Sequence, residues 1–171
     1  MLSALLKRFN ARSIEEVIAK ANAEAYCYSI NWDADIAASS NGQSNVAIDQ
    51  GYWFIIQSTI GEIWMNSATA SNLALTPVCR NESVWDIDDP ADSNVFLNSF
   101  RLDLRTNNNA WFDKPVCASA LYGTANHPSY WLANLVVAPG NSVFGTLFNN
   151  NAATFITARS QLTFRGVRIA N

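Results

Sequence analysis

Residues 99–106 read Ser-Phe-Arg-Leu-Asp-Leu-Arg-Thr, and this alternation constrains the fold more than any other feature of the chain. Side chains in a strand point to opposite faces in turn, so Phe100, Leu102 and Leu104 lie on one face and Arg101, Asp103 and Arg105 on the other. One face belongs to a core; the other meets solvent or a partner. Similar runs of aromatic and β-branched residues, separated by Asn, Gly, Ser, Asp and Pro, recur from residue 26 onward. Strands are expected at 26–32, 46–60 (one strand or two), 62–65, 99–106, 118–123, 131–138, 142–149 and within 153–169. Eight or so short strands with no second clear helix among them predict a mainly β protein, an antiparallel, jelly-roll-like β-sandwich.

The first 25 residues differ from the rest. From Ser13, apolar residues at 14, 17, 18, 21 and 25 follow a helical spacing, with Ser13 at the N-cap and Glu16 three residues later. Before that helix, Leu2, Leu5, Leu6 and Phe9 share a second short apolar stripe, and Asn10 to Arg12 break the two apart. The expected organisation is an α-helical arm at 1–25 and a sandwich domain at 26–171. The arm docks either on its own domain or on a neighbouring subunit, which makes Leu2, Leu5, Leu6 and Phe9 interface candidates.

Two segments, Tyr-Trp-Phe-Ile-Ile-Gln at 52–57 and Ser-Val-Phe-Gly-Thr-Leu-Phe at 142–148, are apolar on both faces. That pattern suits a central strand between layers, or one with a face covered by another subunit. In the closing run, Leu162 and Phe164 share one parity whereas Val167 and Ile169 share the other, which predicts a bulge or bend at Gly166. Arg159, Arg165 and Arg168 on this strand face either solvent or an acidic partner. Asparagine occurs twenty times and forms triplets at 107–109 and 149–151. Because Asn tolerates positive φ and bonds its own backbone, both triplets read as turns, the second closing a hairpin into the last strand.

Several function classes are disfavoured. A net charge of −3, from 11 basic and 14 acidic residues, offers no drive toward nucleic acid. No run of ~20 apolar residues suggests a membrane span, and the start of the chain lacks the pattern of a signal peptide. Glycines occur singly, without a phosphate-cradling motif. His127, the one histidine, stands beside Pro128 without an evident acid–base partner, and neither a nucleophile elbow nor a paired-carboxylate pattern accompanies it, so no catalytic residue is assigned. Cys27, Cys79 and Cys117 are too widely spaced for a metal knuckle and read as small buried apolar residues in a reducing place of synthesis. Asp86, Asp88, Asp89 and Asp92 supply oxygen ligands at close spacing. They lack the glycine and closing glutamate of a calcium loop and read as a solvated Asp-Pro turn, so no metal or other cofactor is expected. Trp85 and Trp111, in loops rich in Asp and Asn, are the candidates for a sugar-stacking platform.

Charged residues make up 15% of the chain, well below the roughly 25% of average soluble proteins, which suggests that other subunits cover part of the exterior. From the alternating strand at 99–106, through the Ala138-Pro139-Gly140 turn and the apolar strand ending at Asn149, to the closing Phe-x-Gly-x-Arg-Ile at 164–169, the sequence resembles β-sandwich structural proteins of tailed-bacteriophage virions. The resemblance covers residues 99–169. It implies a non-enzymatic virion subunit of the decoration, collar or minor capsid type, synthesised in the host cytoplasm. Such a subunit is expected to form a homo-oligomer, with a trimer as the analogy, and to contact the major capsid or portal protein. A carbohydrate-binding, host-adhesion module is the alternative.

Overall fold

The computed structural model describes residues 1–67, 76–77, 100–107, 109–123, 128–150 and 156–171. Among them the chain is mainly β, with two antiparallel sheets and two short helices. In the first sheet β1 (Ala23–Ile36) pairs with β10 (Ile156–Ala170), β10 with β3 (Tyr52–Ser67), and β3 with both β8 (Ser129–Val137) and the two-residue β4 (Thr76–Pro77). The second sheet joins β2 (Ser40–Ala47) to β9 (Ser142–Asn149) and β9 to β5 (Phe100–Thr106). Two short pieces, β6 (Asn109–Ala110) and β7 (Val116–Cys117), complete it along β5. The first long strand therefore pairs with the last, the second with the next to last, and β3 with β8.

The inward faces meet in one core. Phe100, Leu102 and Leu104 of β5, fully buried as their alternation requires, join Val143 and Leu147 of β9 on one side. Ile30 and Trp32 of β1, Phe54 and Ile56 of β3 and Leu162 and Phe164 of β10 supply the other. The Trp32 indole spans the gap between sheets. It donates from Nε1 to the Gly42 carbonyl at 3.0 Å, and a Cβ at Gly145 would come within 2.6 Å of its ring. Glycines in β2 and β9 thus make room for an aromatic side chain of β1.

Both helices form where the sequence places helix, though they are shorter. α1 covers Leu2–Arg8 and α2 covers Ile14–Lys20. Ser13 Oγ accepts from the Glu16 N–H at 3.2 Å, as expected of an N-cap, while the Glu16 carboxylate accepts from the Arg12 N–H at 2.7 Å, one residue before the position that a capping box uses. Its expected continuation to residue 25 fails because Ala23 already pairs with Ile169, and the strand ladder takes those backbone groups.

Further expectations are corrected. Residues 118–123 form no strand: Ala118–Ala120 make a single 3-10 turn that drives Leu121 and Tyr122 into the core, with Tyr122 against Gly61. The second asparagine triplet does not close a hairpin, since β9 and β10 belong to different sheets and do not pair. Asn149 is instead fully buried at the end of β9 and donates from Nδ2 to the Ile36 carbonyl at 3.1 Å. At the first triplet, Asn107 has φ 47° and Thr106 pairs with Asn109, while Asn108 lies outside the described residues. Pro139 and Gly140, the latter at φ 72°, lie between Ala138 O and Asn141 N, which bond at 3.2 Å in the manner of a type II turn.

Candidate functional site on the outer face of the first sheet

Strand β10 keeps one phase from Ser160 to Ile169. Its register with β1 is unbroken from Ile169 opposite Ala23 to Ser160 opposite Trp32. The irregularity lies on the other side, where Arg165 pairs with Ser58 but Gly166 with Ile56, so the extra residue is Gln57 of β3. The bulge expected at Gly166 of the closing strand is therefore in the neighbouring strand. Gly166 accommodates it, since a Cβ there would overlap the Ile55 carbonyl. The apparent change of parity in β10 has another cause: Val167 and Ile169 point outward beneath the N-terminal helices.

Those helices build a second apolar cluster on the outer face. Leu5, Ile14 and Val17 bury against Ile55 of β3 and Ile169 of β10, with Leu6, Phe9, Trp53, Val136 and Val167 packed around them. This answers why residues 52–57 are apolar on both faces: β3 is a central strand, and the chain's own arm covers its second face. Of the four arm candidates, Leu5 is wholly buried, Leu6 and Phe9 are half-buried and Leu2 remains 42% exposed.

Beyond the helix-covered patch, one row of residues crosses four strands. Cys27 stands opposite Arg165, Arg165 opposite Ser58, and Ser58 opposite Tyr130. Neighbouring strands lie about 4.8 Å apart, so Arg165 and Tyr130 are separated by roughly 10 Å with small, buried Ser58 between them. The result is a groove of about 510 Å³ lined by Gln57, Ser58, Tyr130, Arg165 and Val167, with Ala25 and Cys27 along one side. Tyr130 is 77% exposed.

The three arginines of β10 differ in what they meet. Arg159 bonds Asp35 at 2.6 Å, and Arg168 bonds Glu24 at 2.9 Å and approaches Asp49 at 3.9 Å. Arg168 also lies over the rings of Tyr26 and Tyr52, 4.1 and 4.4 Å from their centroids. The Glu24 carboxylate holds its guanidinium above the ordinary arginine range. Tyr28 donates to Asp49 at 3.1 Å, and burial raises that phenol above its usual range. Arg165, exposed, makes no ion pair among the described residues. Sequence reasoning named all three but had no means of separating them, because the partners come from β1 and from the β2–β3 connection.

The remaining candidates stand elsewhere. Trp111 is half-buried, donates from Nε1 to Thr106 Oγ1 at 3.3 Å and packs edge-on against Phe164 at 5.8 Å, so its indole contributes to the inter-sheet core. Trp85, Asp86, Asp88, Asp89, Asp92 and His127 lie outside the described residues, as does Cys79. The cysteine expectation is corrected: Cys27 is an exposed free thiol and Cys117 a half-buried one. Among the described residues no three His, Cys, Asp or Glu side chains converge as a metal site, and no helix is long and apolar enough to cross a membrane. Sequence reasoning missed Tyr130 and Gln57, since neither has a motif; only strand pairing brings them beside Arg165.

No protein-family pattern matches the sequence, and a search of curated proteins finds no match.

Proposed function

We propose that the protein is a non-enzymatic structural subunit of a tailed-bacteriophage particle, of the decoration, collar or minor capsid type, built on a jelly roll. One observation carries this reading: the pairing of first strand with last, second with next to last, and third with β8, distributed over two sheets. With β6 and β7 taken as one interrupted strand beside β5, this pairing supports a long hairpin rolled into two interlocked Greek keys, an architecture recurrent in viral capsid and lectin domains.

Self-association is supported by the outer face of the second sheet. Phe144 and Phe148 project there half-exposed, flanked by Asn45 and Asn41 on β2 and by Arg105 and Arg101 on β5. This is the apolar second face of residues 142–148, and the described part of the chain leaves it without the helical cover that β3 has. A closed cyclic homo-oligomer, a trimer by analogy, buries such a repeated patch without open-ended growth. Sedimentation velocity over a wide concentration range tests it. A discrete oligomer that Phe148→Glu converts to a folded monomer is expected; a wild-type monomer at the highest concentration overturns self-assembly. In the particle, attachment to the major capsid or portal protein is read by co-sedimentation with those assemblies.

A further inference from the structure

We propose that the groove between Arg165 and Tyr130 binds an acidic saccharide, with Arg165 holding the sugar carboxylate and the Tyr130 ring packing against the sugar's C–H face. This site does not depend on the virion reading and involves neither Trp85 nor Trp111.

Three features carry it. First, Arg165 is an exposed guanidinium with no ion pair among the described residues, whereas Arg159 and Arg168 on the same strand are both paired. A guanidinium presents a planar fork of donors that matches a carboxylate. Second, Tyr130 stands 77% exposed on the same face, two strands away, with Ser58 as the floor between them. An aromatic ring left in water has an apolar face to offer, and a sugar ring fits a gap of roughly 10 Å between two such walls. Third, the volume, about 510 Å³, falls within the roughly 300–1,000 Å³ typical of small-ligand sites.

The backbone argues against a peptide strand as the occupant. At this row β10 is paired on one side with Cys27 and on the other with Ser58, and β3 is paired with both Arg165 and Tyr130. The floor of the groove therefore runs over β10 and β3, whose ladder groups are bonded on both sides, so strand addition has no edge to use there; β8, paired with β3 alone among the described residues, has its open edge beyond Tyr130. Recognition falls to side chains: one cation, one aromatic face, the Gln57 amide at the bulge and the Ser58 hydroxyl. Val167, held under the helices, bounds the groove toward the covered patch.

The test titrates the intact protein with sialyllactose and, separately, with lactose and inorganic phosphate, following amide and side-chain NMR shifts. Sialyllactose is expected to perturb residues 57, 58, 130 and 165 while lactose and phosphate do so at least about tenfold more weakly. Arg165→Gln and Tyr130→Ala are each expected to weaken binding, the former by about tenfold or more. Lys114→Gln, which removes a positive charge from the exposed connection between β6 and β7 of the other sheet, is expected to leave it unchanged. Both groove side chains are exposed, so an unshifted thermal midpoint verifies folding. The proposal is overturned if sialyllactose causes no shifts in the groove, if lactose or phosphate binds equally well, or if Arg165→Gln behaves like Lys114→Gln.

Discussion

Gly166 and Ile55 meet backbone to backbone: the bulge at Gln57 turns the Ile55 carbonyl into the space that a Cβ on residue 166 would occupy. The obstruction is main chain within a paired strand, so a rotamer change cannot relieve it. Gly166→Ala is expected to destabilise the fold by about 2 kcal/mol or more, because overpacking here must shift a ladder. Gly51, with nothing within 4 Å of its Cβ position, is the control, and Gly51→Ala is expected to change stability by less than about 1 kcal/mol. Urea denaturation of both variants checks the contrast.

The arm carries a second contrast. Leu5 is wholly buried against the sheet and Leu2 is 42% exposed, though both belong to the same short apolar stripe. Leu5→Ala is expected to cost about 2–4 kcal/mol and Leu2→Ala less than about 0.5 kcal/mol in the stability of the docked arm. Hydrogen exchange of α1 and α2 amides reads that docking directly. Removal of residues 1–20 is expected to bare Ile55, Val167 and Ile169 and to bring ANS fluorescence in the native state.

Asn149 and Asn150 are adjacent in sequence and opposite in environment. Asn149→Ala leaves the buried Ile36 carbonyl without its side-chain donor and is expected to cost about 1–3 kcal/mol. Asn150 is exposed, and Asn150→Ala is expected to stay within about 0.5 kcal/mol. Equal effects in thermal or urea melts would contradict the buried assignment.

Tyr122 gives the protein an alkaline limit. Its hydroxyl donates to Ser160 Oγ, which itself donates to the Glu62 carbonyl at 2.9 Å. Burial is the main cause that raises the phenol above its usual range. A raised folded value means that the contribution is complete below the unfolded tyrosine value of about 10 and is lost as pH rises from there through the folded value. Absorbance titration is expected to show one tyrosine that ionises only as the protein unfolds. Tyr122→Phe should remove that phase at a cost of about 1 kcal/mol, since Ser160 keeps its bond to Glu62.

Much of the secondary structure was legible because it rests on local pattern. The alternation at 99–106, the limits of 142–149 and the Ser13–Glu16 cap all follow from side-chain periodicity or a contact within one turn. β2 was missed: Ser-Asn-Gly-Gln-Ser-Asn has no apolar face to read, and it is a strand because β9 pairs with it and Trp32 needs the space above Gly42. Residues 118–123 have strand-like composition, yet Tyr122 finds its place over Gly61 only if the chain turns at Ala118. The candidate groove was half legible: Arg165 was named, but Tyr130 and Gln57 were not.

By itself the sequence determined a mainly β chain with a helical arm, because hydrophobic periodicity and capping are properties of neighbouring residues. Only the tertiary structure decided which layer each apolar face meets. Val167 and Ile169 looked like the far side of a bend and are the seat of the arm; Asn149 looked like a turn and is a buried bond between strands. It likewise decided that Arg159 and Arg168 pair with carboxylates while Arg165 meets none among the described residues. Those outcomes depend on groups distant in sequence, brought together by strand pairing, and periodicity along one segment carries no information about them.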